Sequence, residues 1–184
     1  MKPLFTVHAG EYLVGSFIEK KYPKVNVWIP AKDTGIDLLV TDANNTRTIS
    51  IQVKFSKDFT PTHHTLLMQN KLSATGWWTH QETKINKSKA DFWIFVLPSF
   101  TENRTHFIII PPAELLRRLR AIHSKREKKI HSYLSVTKSA QCWETRGLKK
   151  KNKEMHTFDR SRQSVRDFTQ FLDNWTDVEK QLKI

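Results

Sequence analysis

GIDLLVTDANNTRTISIQVKFSK, Gly35 to Lys57, reads as two strands joined by a tight turn. Asn44 and Asn45 are the turn residues, with Asp42 beside them, because Asn and Asp tolerate the positive φ that two-residue hairpin turns require. Centring the hairpin on Asn44-Asn45 sets Asp37 opposite Gln52, and Lys54, two residues on, shares their face. The other face collects Ile36, Leu38, Val40, Ile49, Ile51, Val53 and Phe55. One face is therefore core, and the other gathers a carboxylate, an amide and an ammonium within one side-chain reach. A plain wet face of Asp37, Thr41, Thr48, Ser50, Gln52 and Lys54 is the simpler reading. Gly35, which permits close approach by another group, and the mid-strand position of Gln52 and Lys54 in IQVKF shift the balance toward a site.

Upstream, residues 8 to 22 predict a helix, with Leu13, Val14, Phe17, Ile18 and Tyr22 near helical spacing. Lys20 and Lys21 suit its last turn, and Pro23 marks its exit. Glu11 aligns with Val14 and Ile18, so it borders the buried stripe; it also suits a first turn as an acid facing the helix dipole. Val25 to Ile29 is the first strand, ended by Pro30.

Downstream, 57 to 65 is a polar loop. Its His63-His64 pair is a poor metal site, since neighbours on an extended chain point apart. Leu66 to Trp78 is ambiguous in its period, with a helix through Leu66, Leu67, Met68 and Leu72 that stops at Gly76 as one reading, and 79 to 89 reads as an exposed basic connection. Ala90 to Leu97 is a strand covered on both faces, and His106 to Ile110 is another. A helix opens at Pro111-Pro112 and carries Leu115, Leu116, Leu119 and Ile122, reaching Ile130 if it continues. Ser161 to Ile184 predicts a final helix through Val165, Phe168, Phe171, Leu172, Trp175 and Val178. The expected class is α/β (α+β), a mixed central sheet flanked by helices in one domain of 184 residues. Its core covers about 8–125, followed by a basic region and C-terminal helix over about 126–184.

The net charge of +13 and a pI near 9.9 call for a polyanionic partner. Charges of nearly one sign, positive, cluster from 117 to 153. Arg117, Arg118, Arg120, Lys125, Arg126, Lys128, Lys129, Lys149, Lys150 and Lys151 are expected to contact backbone phosphates. The single cysteine, Cys142, excludes an internal disulfide and reads as an idle buried thiol in a reducing compartment. With no signal-like start and no span-length apolar run, the expected location is cytoplasmic, away from membranes.

Gly35-Ile36-Asp37, then Gln52-Val53-Lys54, after a helix bearing Glu11, resembles the core of the PD-(D/E)XK nuclease superfamily. The shared order is a helix with a Glu, a strand, and a hairpin bearing the Asp and the E-x-K-type triplet, completed by a further strand and helix. ADFWIFVL and HFIIIPPAELLRRL are similar in placement to those later elements, so the resemblance spans roughly residues 8 to 125. Ile36 stands where the family name has Pro, and Gln52 replaces the usual acid. An amide oxygen brings no charge to a hard cation, so metal binding should weaken.

The resemblance implies a restriction-endonuclease-like fold and a metal-dependent DNA endonuclease of restriction, homing or junction/repair type. It implies Mg²⁺ (or Mn²⁺) held by Asp37, Gln52, the Val53 carbonyl and Glu11. Lys54 then sits at the scissile phosphate, orienting water and offsetting charge. Cutting duplex or branched DNA with one site per chain implies a homodimer. The alternative is a non-catalytic nucleic-acid-binding module of the same fold, with Gln52 as its best support. A third reading is an RNA-directed role in which Trp77, Trp78 and Trp143 stack unpaired bases; the residues favour core packing for these tryptophans.

Overall fold

The computed structural model describes residues 8–32, 34–57, 70–99, 102–123, 129–148 and 165–184. In chain order the elements are α1 (Ala9–Lys21), β1 (Asn26–Trp28), β2 (Leu38–Thr41), β3 (Thr48–Phe55), β4 (Leu72–Gln81), α2 (Glu82–Asn86), β5 (Phe92–Ser99), β6 (Arg104–Ile110), α3 (Pro112–Ile122), β7 (Lys129–Thr137), β8 (Cys142–Glu144) and α4 (Thr176–Leu182). A 3₁₀ turn at Thr169–Phe171 precedes α4. The main sheet is five-stranded, in the order β1-β2-β3-β5-β6, and β4-β7-β8 form a second sheet. β3 and β5 run parallel, while the other neighbours in both sheets are antiparallel. The fold is α+β, built on a mixed sheet with helices on its faces. Among the described residues no helix is long and apolar enough to cross a membrane.

The hairpin pairs Leu38 with Ile51, Val40 with Ile49 and Thr41 with Thr48, the register that centring on Asn44-Asn45 predicts. The turn itself is wider than two residues. Asp42 N–H donates to Arg47 O (3.2 Å), and Asn45 N–H donates to Asp42 O (3.0 Å). The Asp42 carboxylate accepts from Thr46 N–H (2.7 Å), Arg47 N–H (3.1 Å) and the Thr46 hydroxyl (2.6 Å). Asn45 takes the left-handed conformation (φ 55°). A symmetric widening keeps the same centre, so the pairing survives the different turn.

Side chains of the main sheet alternate between two cores. Leu38, Val40, Ile49, Ile51, Val53, Ile94 and Val96 pack under α1 (Val14, Ile18) and α4 (Val178, Leu182). On the opposite face Trp93, Phe95, Leu97, Ile108 and Ile110 meet the second sheet (Ala74, Trp78, Ile130, Leu134, Val136), α2 (Ile85) and α3 (Leu115, Leu116, Leu119). The residues beyond 125 therefore contribute to both cores.

Four expectations need correcting. Leu72 to Trp78 is strand, not helix: Thr75, Trp77, Trp78 and Thr79 favour a pleated surface, and a register shift between Leu72 and Ala74 masks the period of two. Residues 79 to 89 are not an exposed connection, since β4 continues to Gln81 and α2 buries Ile85. α3 stops at Ile122, and Ile130 belongs to β7. The C-terminal segment is not one helix. Phe168 enters one core and Trp175 the other, because the chain wraps the β6 edge. There Asp173, at φ 51°, exchanges hydrogen bonds with Phe107: Asp173 N–H donates to Phe107 O (2.6 Å), and Phe107 N–H donates to the Asp173 carboxylate (2.7 Å). Leu66, Leu67, Met68, His63 and His64 lie outside the described residues.

α1 lies against β3 through Gly10. A Cβ there would come within 2.7 Å of Phe55 Cβ and 3.1 Å of Val53 Cγ1. Phe55 Cβ is fixed directly by the β3 backbone, and Val53 Cγ1 belongs to a β-branched side chain with few rotamers to move into. Gly10→Ala should cost about 1–3 kcal/mol of stability by overpacking, despite the better helix propensity of Ala. Urea unfolding measures this, and a stability equal to or above that of the wild type would contradict the close approach.

Candidate functional site

β3 runs from Thr48 to Phe55 but its hairpin partner β2 begins only at Leu38, opposite Ile51. Gln52 to Phe55 therefore extend past β2 while staying paired to β5 on the other side. Gly35, at φ 80°, swings the incoming chain into this gap. Asp37 N–H donates to Ile51 O (2.8 Å), and the Asp37 carboxylate accepts from Val53 N–H (2.7 Å) and from the Gln52 amide nitrogen (3.4 Å). The side chain thus stands in for a missing strand partner. A strand residue's N–H and C=O point to the same edge, so the Val53 carbonyl faces the side on which Asp37 sits.

A cleft of about 940 Å³ opens at this place. Glu11 and Asp37, both buried at 4% and 8% exposure, line it together with Gln52, Val53 and Lys54. α1 brings Glu11 there because Gly10 lets the helix start touch the overhanging end of β3. The Lys54 ammonium lies 5.1 Å from the centre of the Trp93 ring, a cation–π contact that holds it on the cleft face of the sheet. The proposed catalytic and metal-holding residues from three separate segments are thereby gathered in one cleft.

The far wall was not foreseen. Trp78, Thr79, His80 and Gln81 of β4, and Thr83, Lys84, Lys87, Ser88 and Lys89 beyond it, line the same cleft with Lys129 of β7. Among the described residues its lining carries five lysines (54, 84, 87, 89 and 129) against two carboxylates, Glu11 and Asp37. His80 adds no positive charge near neutral pH. Burial, with Lys54 and His131 nearby, pushes its imidazole down to about 3, and Ser132 Oγ lies 2.8 Å from its Nε2. The alternation Trp78, His80 on β4 would have flagged this residue had the segment been read as strand.

The arginines of α3 divide: Arg117 and Arg120 are exposed and ion-paired, whereas Arg118 is withdrawn from the surface. Arg118 is buried, bonded to Glu114 (2.7 Å) and to the carbonyls of Asp167 (2.6 Å) and Val165 (3.3 Å), and stacked on Phe168 and Phe171. It knits the C-terminal segment to α3 and is not on a phosphate-contacting surface. Arg117 also binds Glu114, whose carboxyl is held down to about 2 by the two guanidiniums, Arg117 first. Arg120 pairs with Glu82 of α2. Of the remaining basic candidates Lys129 is on the cleft, and Lys125, Arg126, Lys128, Lys149, Lys150 and Lys151 lie outside the described residues. Cys142 is buried, which pushes its thiol up and makes it a poor nucleophile.

A second polar chain runs Ser73–His106–Asp173, with 2.9 Å at each step. It has the order of a nucleophile, base and acid. The Ser73 hydroxyl, however, donates to Glu102 (2.5 Å), and both Ser73 and His106 are buried. The chain ties β4, β6 and the C-terminal segment together.

Among the described residues, no group of three or more His, Cys, Asp and Glu side chains is gathered as a metal cluster. A cation in the cleft would rest on two carboxylates supplemented by amide and main-chain oxygens. That donor set is all oxygen and suits a hard divalent ion, with less charge than a three-acid site. Comparison with protein families, curated proteins and solved structures finds no match for this chain.

His80 should make the fold acid-sensitive. Its folded value lies below the ordinary 6.5, so the unfolded chain binds the extra proton. The stability contribution is fully present above pH 6.5 and is lost as pH falls toward 3, by up to about 1.4 kcal/mol per pH unit. His80→Gln should flatten the stability profile between pH 6.5 and 4.5, measured by urea unfolding at each pH. An unchanged slope there would show that His80 does not carry it.

Proposed function

We propose that this protein is a metal-dependent DNA endonuclease that hydrolyses phosphodiester bonds in the cleft beside β3. The observation that carries the reading is the convergence of Glu11, Asp37, Gln52, Val53 and Lys54 on one cleft where lysines outnumber carboxylates. The strand order supports it as well: an antiparallel β1-β2-β3 unit continued by a parallel β5 suits the resemblance to the PD-(D/E)XK superfamily.

The lysine-rich rim attracts a polyanion and seats its phosphates. Asp37 and Glu11 provide the carboxylates for Mg²⁺ or Mn²⁺, with the Gln52 amide oxygen and the Val53 carbonyl completing the set. Such an ion, when bound, neutralises phosphate charge and acidifies water. Lys54, held over Trp93, presents its ammonium where charge grows on the phosphate oxygens and orients the attacking water. His80 is uncharged near neutrality, so it can accept a hydrogen bond without adding to the repulsion among the lysines. A homodimer suits cleavage of both strands, and a cytoplasmic location fits a chain whose one cysteine is a buried free thiol.

Gln52 favours one competing reading, a nucleic-acid-binding module without catalysis, since an amide replaces a charged ligand. Cleavage assays on linear, supercoiled and branched DNA with Mg²⁺ and Mn²⁺ separate the two. Asp37 also satisfies Val53 N–H, so Asp37→Ala should cost about 1–3 kcal/mol of stability, whereas Asp37→Asn keeps an acceptor oxygen. The expectation is metal-dependent cutting that falls at least about a hundredfold in Asp37→Asn and in Lys54→Ala, with circular dichroism unchanged. DNA binding that persists in chelator, with no cutting by the wild type on any substrate, would favour the binding module.

A further inference from the structure

The outer face of the second sheet carries an aromatic pair that neither core uses. Trp77 of β4 is 44% exposed. Its cross-strand partner is Tyr133 of β7, and their rings stack with centroids 6.3 Å apart and planes 30° from parallel. Trp28 of β1 is also exposed, at 52%, but its indole N–H is bonded to Thr41 Oγ1 (3.1 Å), whereas Trp77 shares its strand face with the cleft-lining Thr79. Its neighbour Trp78 points inward and is buried, which fixes Trp77 on the outer face.

That face leads directly into the cleft. Along β4, Trp77, Thr79 and Gln81 share one side, and Thr79 and Gln81 line the cleft. Along β7, Tyr133, His131 and Lys129 run beside them in register, ending at the cleft lysine. Thr79 Oγ1 and His131 Nδ1 lie 2.9 Å apart and bridge the two strands between the aromatic pair and the rim. The platform thus stands two residues, about 7 Å, from the rim.

We infer that Trp77, backed by Tyr133, is a stacking platform for an unpaired base of a DNA strand whose phosphates enter the lysine-lined cleft. The inference rests on the nuclease reading and narrows its substrate to DNA with a single-stranded segment: an overhang, a flap or a branch. Two features converge on that occupant. The cleft's charge selects a polyanion, and the exposed indole beside it offers a π-face to a base no longer stacked in a duplex. A fully paired duplex keeps its bases stacked on one another and cannot use the platform.

The test is fluorescence anisotropy of labelled blunt duplex, the same duplex with a single-stranded overhang, and a single strand, all in chelator so that binding is read without cutting. Wild-type protein should bind the overhang and single-stranded probes more tightly than the blunt duplex. Trp77→Ala should weaken those two about tenfold or more and leave the blunt duplex within twofold. Trp77→Phe, which keeps a stacking ring, should recover most of the loss. Trp77 is on the surface, and urea unfolding of each variant verifies that it folds. An alanine variant that binds the overhang like the wild type, or loses blunt duplex to the same degree, overturns the platform while leaving metal-dependent cutting intact. Wild-type protein that neither binds nor cuts any of these DNAs overturns the nuclease reading and the platform with it.

Discussion

The unequal length of two hydrogen-bonded strands shapes this molecule. β3 runs past the start of β2, and the edge it exposes at Val53 needs an acceptor. The chain answers with the Asp37 carboxylate, placed by the positive-φ turn at Gly35. The same overhang leaves room for the start of α1, whose Gly10 sits against Phe55 and Val53 and carries Glu11 into the gap. An unmet backbone group at a strand end is costly, so a polar side chain there is selected by stability alone. The result is two buried carboxylates, one on α1 and one before β2, lining a single cleft.

Charge is distributed with a corresponding division of labour. The arginines of α3 pair with Glu114, Glu82 and main-chain carbonyls, and through Arg120 and Arg118 they tie α3 to α2 and to the C-terminal segment. The cleft draws its charge from lysines on β3, α2, β7 and the segment leading to β5. Arginine's planar fork suits buried multidentate bonding, whereas lysine remains a mobile point charge at a solvated rim. A basic sequence run therefore says little about where positive charge is presented.

Much of the main sheet was legible from local pattern. The helix at 9–21, the strands around 26–28, 92–99 and 104–110, and the hairpin register all follow from period and turn residues. The second sheet was not. β4 looked helical because Leu72 and its upstream leucines suggested a stripe, and β7 was hidden in a basic run where Lys129, His131 and Tyr133 alternate with Ile130, Ser132 and Leu134. Small polar residues such as Ser132 and Thr75 are buried there by cross-strand pairing, which no hydropathy pattern reveals. The helical spacing from Phe168 to Val178 misled for a related reason: its apolar residues serve two cores on opposite sides of β6.

The sequence by itself determined the hairpin and its register, because these depend on a period of two and a local turn. Asp37, expected on a face with Gln52 and Lys54, instead turns its carboxylate to the strand edge at Val53 N–H. The sequence also placed Glu11 at the edge of a helix stripe. Only the tertiary structure decided that Glu11 reaches the same cleft, that His80 stands neutral opposite Lys54, and that Trp77 is left outside while Trp78 and Trp143 are buried. Those outcomes depend on which sheet packs over which face. Such non-local pairing is set by the summed fit of distant surfaces and not by the residues adjacent to each site.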